Sequence, residues 1–301
     1  MKFVTFEVDG RIQAGIVKDD QVVSLHQSSN GVIPKELIDI IRDFDHYKTA
    51  INDLPTSEYE LGDVILHAPL PRPVSIRDFY AFEEHVVSAR GQRGLGVVSE
   101  WYELPVFYFS NHMAVKGPDS IIHRPRSCEK LDYELELACV IGKEGRNIKA
   151  HQAEEYIFGF MVMNDWSARD LQAKELKVGL GPAKGKDFAT SFGPFLVTKD
   201  ELPLENGRLD LKMEGFVNGE RYSLGNAKDM HYSFSEIIAQ ASKNVTLYPG
   251  EVIGSGTVGS GCILEQMERD WLVTGDTVDL SIDSLGTLSN MIGEEEEDGL
   301  L

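Results

Sequence analysis

The sequence has few of the features that place a protein in a membrane or in an oxidising compartment. No apolar run approaches the length of about 20 residues that a transmembrane helix needs, and the N-terminal segment lacks the long apolar stretch of a signal peptide. Only three of the 301 residues are cysteine, and no C-x-x-C is present. This number and spacing indicate neither a disulfide framework nor a zinc knuckle. We therefore expect a cytoplasmic protein with reduced, buried thiols.

Basic residues are also scarce. The chain has 29 Lys and Arg against 49 Asp and Glu, for a formal net charge of −20. Binding to nucleic acid or to an anionic membrane requires a basic face, so neither is expected as a partner. Only five of the acidic residues lie in the tail at residues 294–298, so most of the negative charge belongs to the folded body. An anionic substrate would then need a metal ion or a few well-placed arginines to reverse the local potential.

Residues 1–65 have the pattern of a small β-rich domain. Residues 3–8 alternate apolar and polar side chains, Asp9-Gly10 is a hairpin signal, and residues 13–25 continue as short strands. Helical periodicity follows at residues 34–41. This pattern predicts a β-meander followed by a helix.

Residues 66–293 differ from residues 1–65 in their sequence pattern and predict a second domain. Short apolar strands alternate with turns, and helical periodicity is limited to segments such as 153–157 and 234–241. Residues 294–301 have the composition of an acidic, disordered tail. The predicted fold class is mostly β, or α+β, with the larger domain following the smaller one.

Three carboxylates share one face of a predicted strand. Period-2 alternation over residues 131–137 places Asp132, Glu134 and Glu136 opposite the apolar side chains. An amphipathic strand with a solvated polar face would give the same pattern. The apolar continuation at residues 138–142, however, is typical of a strand covered on both faces, where like charges repel unless a cation lies among them. A hard divalent cation with oxygen ligands would supply that charge.

Asp165 ends a second apolar run. Residues 156–163 have the pattern of a buried strand, and Asn164-Asp165 follows directly before a turn. Asn and Asp commonly cap the helical turn that comes next, so Asp165 as a cap is one interpretation. Beside Glu134 and Glu136, Asp165 would instead complete a metal site with three carboxylates.

One histidine and two glycine-rich loops are less specific signals. His85 is suited to act as a base only if an acidic residue orients it, and Glu265 is one of many that are available. The loop at residues 179–188 does not match the phosphate-binding pattern G-x-x-x-x-G-K-[ST], although Lys186 is suited to an anionic substrate. The loop at residues 254–261 contains no G-x-S-x-G nucleophile motif. Both loops are also compatible with plain tight turns.

Taken in order, these segments resemble the fumarylacetoacetate hydrolase family over residues 69–292. The family's D-x-E-x-E metal strand is present at residues 132–136, and its N-D-x-[ST]-A-R-D-x-Q segment is present at residues 164–172. A G-K-x-[FL] loop lies at residues 185–188, and the ending G-D-x-V…L-G-x-L-x-N lies at residues 275–290. D-F-Y followed by a histidine, and G-T followed by L-E, favour the carbon–carbon hydrolase branch typified by fumarylacetoacetase.

The resemblance implies a metal site, a catalytic group and a substrate pocket. Mg²⁺ is the first choice of cation, with Mn²⁺ or Ca²⁺ as alternatives, and the implied ligands are Asp78, Glu134, Glu136 and Asp165. The implied catalytic residues are His85 as base, Glu265 as its orienting partner, and Lys186. The implied substrate-binding residues are Tyr80, Tyr108, Arg169, Gln172 and Thr257. The stretch after His85 is shorter than in animal fumarylacetoacetases, so the arginine that closes their substrate site has two candidates here, Arg90 and Arg93.

The same resemblance implies a homodimer whose larger domain is a mixed β-sandwich or β-roll. The implied reaction is metal-dependent hydrolysis of a carbon–carbon bond in a 2,4-dioxo acid of the fumarylacetoacetate or acylpyruvate type. Relatives also decarboxylate, tautomerise or hydrate oxo acids such as oxaloacetate, and these reactions are the alternative. A non-catalytic binding or scaffold protein that keeps the fold is an alternative of another class.

Overall fold

The structure of the protein is a computed structural model that describes residues 1–55, 58–266 and 268–295. Strands dominate it. In the first half of the chain they are β1 (Lys2–Val8), β2 (Arg11–Lys18), β3 (Gln21–Ser24), β4 (Tyr59–Glu60), β5 (Ile65–His67), β6 (Ile76–Phe79), β7 (Phe107–Ser110), β8 (Val115–Lys116), β9 (Ile121–Arg124), β10 (Leu131–Asp132), β11 (Leu135–Ile141) and β12 (Gly145–Arg146). In the second half they are β13 (Ile157–Asp165), β14 (Ser167–Ala168), β15 (Thr190–Thr198), β16 (Leu204–Glu205), β17 (Arg208–Leu209), β18 (Lys212–Val217), β19 (Glu220–Asn226), β20 (Thr246–Leu247), β21 (Val252–Gly254), β22 (Thr277–Ile282) and β23 (Gly286–Glu295).

The helices are short. The α-helices are α1 (Leu25–Ser28), α2 (Leu37–Arg42), α3 (Phe44–Asn52), α4 (Glu83–Gly91), α5 (Arg169–Val178) and α6 (Phe234–Ala241). Short 3₁₀ helices occur at Leu61–Asp63, Ser99–Tyr102, Ala150–Tyr156, Lys199–Glu201, Ala227–Asp229 and Ile263–Glu265. Within the described ranges, no helix has the length and apolar content to cross a membrane.

The N-terminal strands continue the main sheet of the molecule. This sheet has twelve strands in the order β4-β3-β2-β1-β15-β13-β11-β21-β6-β7, with β5 beside β1 and β8 beside β15. The β1–β2 hairpin turns at Asp9 and Gly10, both with positive φ, as the Asp-Gly signal predicts. Strand β1 pairs with β15 through Phe3 and Leu196. The boundary predicted near residue 65 is therefore not a boundary between sheets.

The central strands β11 and β13 are covered on both faces. On one face, Leu135 and Leu137 pack in a core shared with the five-stranded sheet β19-β18-β22-β23-β9. On the other face, Ala138 and Val140 pack in a core shared with Ile40 and other residues of α2. A strand buried on both sides needs apolar residues at successive positions, which explains the continuous apolar runs in the sequence.

The predicted fold class, mostly β with a mixed α+β composition, is confirmed. The helix predicted at residues 234–241 is α6, which begins with a capping box between Ser233 and Glu236. The helix predicted at residues 34–41 lies at Leu37–Arg42, and the segment predicted at residues 153–157 is a 3₁₀ helix.

Two predictions made from periodicity differ from the structure. The strand predicted at residues 131–137 is interrupted, because β10 pairs with β14 whereas β11 pairs with β13, and the Glu134 amide between them donates to Asn164 Oδ1 at 2.9 Å. Strand β23 runs to Glu295, so Glu294 and Glu295 belong to the sheet and not to the predicted tail. The rest of that tail, residues 296–301, lies outside the described residues.

Candidate active site

Neighbouring strands of the main sheet bring four carboxylates together at one edge. Asp78 is the third residue of β6, Glu136 is the second residue of β11, and Asp165 is the last residue of β13. Glu134 lies immediately before β11. One ligand oxygen from each of the four lies within 4.8 Å of the others, and all four residues are buried. Asp165 is therefore part of the cluster, and the polar side of β11 is not a solvated strand face.

The cluster fits a hard divalent cation. Asp78 Oδ1 and Asp165 Oδ1 are buried and have no hydrogen-bond partner among the described residues. Leaving buried charged oxygens unpaired is costly, and like charges at this separation repel. Lys186 Nζ contacts Glu134 and Asp165, and Arg169 Nη2 lies 2.8 Å from Glu134, yet these two cations do not balance four carboxylates. A set of carboxylate oxygens alone is the ligand type that Mg²⁺, Mn²⁺ and Ca²⁺ prefer.

A glycine makes room for this cluster. Gly254 ends β21, which lies between β11 and β6. A Cβ atom at position 254 would lie 2.5 Å from Asp78 Oδ1 and 3.0 Å from Glu136 Oε2. The following glycine, Gly256, donates its N–H to Glu136 Oε2 at 3.1 Å. The glycine-rich loop thus brings its backbone against the carboxylates, and glycine is required where a side chain would displace them.

The electrostatics of the cluster favour cation binding. Burial raises the pKa of Asp78 well above its usual range, and the nearby Asp165 charge adds to this effect. Burial, together with the charge of Asp78, raises the pKa of Glu136 in the same way. Burial also acts to raise the pKa of Glu134, but the charges of Lys186 and Arg169 outweigh it, and that pKa is lowered. The protons held by such a cluster compete with a metal ion for the same oxygens.

A histidine–glutamate dyad faces the carboxylates. His85, on α4, hydrogen-bonds through Nδ1 to Glu265 Oε1. Its Nε2 lies 4.0 Å from Glu134 Oε1. Glu265 is held in turn by the Ser260 N–H, which donates to Oε2 at 2.8 Å. Because Glu265 occupies Nδ1, the free ring nitrogen of His85 is directed towards the carboxylates, which is the arrangement of a base with an orienting partner.

A cavity of about 380 Å³ opens on this edge of the sheet. Ten of the twelve predicted site residues line it, and the other two, Asp165 and Glu265, contact the lining residues Lys186 and His85. Arg93 also lines the cavity, whereas Arg90 does not and its Nε donates to the Gly96 carbonyl at 2.6 Å. Of the two candidate closing arginines, the structure therefore brings only Arg93 to the site.

The predicted substrate-binding side chains supply hydrogen-bond donors to the cavity. Tyr108 donates its hydroxyl to Asp165 Oδ2, and Arg169 Nη2 lies 2.8 Å from Glu134 Oε1. Burial raises the pKa of Tyr80 to about 12, so its hydroxyl carries a proton at neutral pH. The remaining contacts are Arg169 Nη1 to Gln172 Oε1 at 3.2 Å and Thr257 Oγ1 to Glu136 Oε1 at 3.5 Å.

A larger groove of about 790 Å³ lies between helices α2 and α3 and the sheet. Its lining includes Phe44, Phe158 and Lys199 but none of the predicted site residues. The smaller cavity, which contains the carboxylates and the histidine, is therefore the candidate active site.

Residues 75–293 match the family described as fumarylacetoacetate (FAA) hydrolase C-terminal. The chain belongs to the fumarylacetoacetate hydrolase family. The family membership that the motifs indicate is therefore confirmed.

Two relatives within this family span nearly the whole chain and carry different activities in their names. Oxaloacetate tautomerase YisK of Bacillus subtilis is 34% identical over 318 aligned positions, which cover 97% of this chain and all of that protein. The 2,4-didehydro-3-deoxy-L-rhamnonate hydrolase of a Sphingomonas strain is 29% identical and covers 98% of this chain and 96% of that protein. Family membership therefore leaves the reaction open between hydrolysis and tautomerisation.

Solved structures of the family share the fold over the full chain. The fumarylacetoacetate hydrolase of Exiguobacterium antarcticum has a TM-score of 0.78 at 28% identity, with 98% of this chain and all of that chain covered. Maleylpyruvate hydrolase from a Sphingobium strain, in complex with manganese(II) and pyruvate, has a TM-score of 0.76 at 23% identity over the same shares of the two chains. The second comparison shows the fold alone, but it is a case of this fold with a divalent cation.

Two polar residues beside this site were given no role of their own in the sequence analysis. Asp132, the first residue of the D-x-E-x-E motif, is fully buried and holds Arg169. Cys262 is buried beside the dyad, and its Sγ donates to Glu265 Oε1 at 3.5 Å. The motif itself was the available signal for Asp132, whereas no pattern in the sequence separates Cys262 from an ordinary buried thiol.

Proposed function

We propose that the protein is a metal-dependent hydrolase that cleaves the carbon–carbon bond between C3 and C4 of a 2,4-dioxo acid. The observation that carries this proposal is the His85–Glu265 dyad, whose free nitrogen is directed at the carboxylate cluster inside one cavity. A base with an orienting partner is what water activation requires.

The chain's own residues account for each proton in the reaction. His85 Nε2 removes a proton from water, whose oxygen bonds to the C4 carbonyl carbon. The C3–C4 bond then breaks, its electron pair stays with C3, and protonated His85 returns the proton there. The products are a carboxylic acid and a 2-oxo acid. Lys186 and Arg169 are buried cations that line the cavity, and they would bind the substrate carboxylate.

The four carboxylates, Asp78, Glu134, Glu136 and Asp165, would hold the cation, with Mg²⁺ as the first choice. When bound, it supplies positive charge beside the oxygens of the oxo acid, where negative charge develops as the bond breaks. Tyr80 and Thr257 line the same cavity and add hydrogen bonds there.

The acyl part of the substrate would lie towards the mouth of the cavity. Along one face of α5, the lining residues change from Arg169 and Gln172 to Ala173 and Leu176. These positions are spaced i, i+3, i+4 and i+7 and so share one face of the helix. Arg169 is buried whereas Leu176 is 37% exposed, so the polar end lies deep and the apolar end lies outward. Val106, which is 41% exposed, continues the apolar rim. An acyl group with apolar surface fits this rim, and Arg93 offers a cation there for a second carboxylate.

Oxaloacetate tautomerisation is the second candidate. The observation that favours it is the full-length similarity to a relative of that name. In this reaction His85 would move a proton between C3 and the enol oxygen of the same molecule, and no water would be consumed. Lys186 and Arg169 would bind the carboxylates as in hydrolysis.

An ultraviolet assay of enol absorbance separates the two candidates. The protein, loaded with Mg²⁺ or Mn²⁺, is given acetylpyruvate, fumarylpyruvate or freshly dissolved oxaloacetate, and the products are identified. The proposal requires acid and pyruvate from a 2,4-dioxo acid, lost on adding EDTA. In the variant His85→Gln we expect a fall in turnover of about 100-fold or more, with Mn²⁺ binding retained. If the protein speeds the ketonisation of oxaloacetate and cleaves neither acylpyruvate, its function is tautomerisation and not hydrolysis. Homodimerisation, which light scattering can check, stays a prediction.

A further inference from the structure

Asp132 connects the two halves of the active site, although it is neither a metal ligand nor part of the cavity wall. Its side chain is fully buried and lies 131 residues away in sequence from the turn that carries Glu265. Oδ1 accepts the N–H of Ile263 at 2.7 Å, and Oδ2 accepts the N–H of Leu264 at 3.1 Å. The amides at the start of the Ile263–Glu265 turn are thereby satisfied by a distant carboxylate.

The same carboxylate holds the guanidinium of Arg169. Arg169 Nε donates to Asp132 Oδ2 at 2.8 Å, and Nη2 lies 2.8 Å from that oxygen and 2.8 Å from Glu134 Oε1. Two buried carboxylates therefore share this arginine. Removing the charge at position 132 would leave Glu134 as the stronger attraction for Arg169.

We propose that Asp132 is a positioning residue that fixes Arg169 and the Glu265 turn in one arrangement. The base orienter and the substrate-binding arginine are thereby set relative to each other. An asparagine cannot replace the aspartate, because its amide group would place a second donor against either Arg169 or the backbone N–H groups. The inference rests on the proposed function in that it assigns His85, Glu265 and Arg169 to the reaction.

The first test compares Asp132→Asn with a matched variant, Glu251→Gln. Glu251 is also a buried acid that pairs with an arginine, Arg77, and accepts a backbone N–H, that of Tyr248 at 2.8 Å. It lies outside the cavity lining. We expect Asp132→Asn to lower kcat by about 10–100-fold with Mn²⁺ binding retained, and Glu251→Gln to lower stability without changing kcat per folded molecule. Equal kcat losses in the two variants would overturn the proposal.

A thermodynamic cycle tests the connection itself and needs only one Asp132 variant. Glu265→Gln and Arg169→Lys are made singly and together, and kcat/KM is measured with the substrate that the wild-type protein turns over. Among the described residues no bond joins Glu265 to Arg169, and two routes can couple them: Asp132, or Glu134, which both Arg169 and His85 approach. The Asp132→Asn background separates the two routes. We expect the effects of Glu265→Gln and Arg169→Lys on kcat/KM to depart from additivity by about 3-fold or more when Asp132 is present. In the Asp132→Asn background we expect the two effects to be additive. Additive effects beside native Asp132 overturn the inference, even if Asp132→Asn fails to fold. If wild-type protein turns over none of the three substrates, it is the proposed function that fails.

Discussion

Strand β6 carries two adjacent charged residues, Arg77 and Asp78, that meet opposite electrostatic environments. Arg77 pairs with Glu251, both are almost completely buried, and Ser75 donates its hydroxyl to the same carboxylate at 2.7 Å. The Arg77 guanidinium also lies 4.9 Å from the centre of the Phe109 ring. One cation and one anion are matched there. Asp78 faces three other carboxylates and has an oxygen without a described partner.

The difference shows how to separate a structural ion pair from a functional cluster. A buried pair whose charges match needs no further ion, although Arg77 Nε has no hydrogen-bond partner among the described residues. The cluster at Asp78 has an excess of negative charge that the fold does not neutralise, and such an arrangement persists only if a ligand stabilises it or function requires it. Breaking the pair should therefore reduce stability, whereas breaking the cluster should reduce function.

The largest effect is expected for Asp78→Asn. Loss of this carboxylate removes a ligand, and we expect metal-dependent turnover to fall by about 1,000-fold or more, because the cation contributes several kcal/mol to charge stabilisation. The metal-free protein should keep or gain stability, because asparagine cannot ionise and the cost of a buried charge at this position is removed. Calorimetric titration with Mn²⁺ checks the loss of the ligand, and turnover measurements and thermal unfolding in EDTA check the two expected outcomes. A metal-free variant that is clearly less stable than wild type would show that Asp78 is structural.

For Glu251→Gln we expect the opposite of Asp78→Asn, a loss of stability with metal binding retained. This change leaves Arg77 charged in a buried site, which typically costs roughly 3–5 kcal/mol of unfolding free energy. Mn²⁺ affinity should stay within a few-fold of wild type, because Glu251 is not a ligand. Urea unfolding and Mn²⁺ titration measure the two quantities. The double variant Arg77→Met with Glu251→Leu is the control, and it should recover most of the stability because no unpaired charge remains. A weakened metal site in Glu251→Gln would show that the two faces of β6 are coupled.

The sequence could predict the carboxylates but not the ion pair, and the reason is physical. Glu134, Glu136 and Asp165 lie in or at the ends of apolar runs, a pattern that also fits a solvated strand face or a cap, and the family motifs assigned them, with Asp78, to a metal site. Arg77 and Glu251 are separated by 174 residues, and nothing local marks either as buried. Periodicity likewise placed Asp132 on a face with Glu134 and Glu136, but the break between β10 and β11 gives it different partners. Such tertiary pairings require the sheet order, which local patterns do not contain.

The pH dependence of stability should distinguish the cluster from the rest of the acidic surface. The pKa values of Asp78, Glu136 and Asp165 are raised in the folded protein, chiefly by burial. Their contribution to stability is therefore fully present below the unfolded-state values of about 4 and is lost as the pH rises through the folded values. In EDTA we expect stability to fall by up to about 1.4 kcal/mol per pH unit for each such group above pH 4.

Saturating Mn²⁺ should weaken or reverse the fall of stability with pH, because the cation replaces the protons. Thermal unfolding from pH 4 to 8, with and without the metal, measures this dependence. Asp78→Asn with Glu136→Gln is the control and should flatten the EDTA curve. An unchanged slope in that variant would assign the effect to the surface charge.

The smallest effect is expected for Gly254→Ala, which perturbs the cluster without removing a charge. The added Cβ would lie 2.5 Å from Asp78 Oδ1, a distance that side-chain movement must relieve. We expect Mn²⁺ affinity to weaken by about 10-fold, as for loss of a residue that orients a ligand. Gly62→Ala is the matched control, because a Cβ there meets nothing within 4 Å, and its Mn²⁺ affinity should equal that of wild type. If Gly254→Ala also binds Mn²⁺ like wild type, then Asp78 has room to move, and the close approach of β21 is a requirement of packing and not of the metal site.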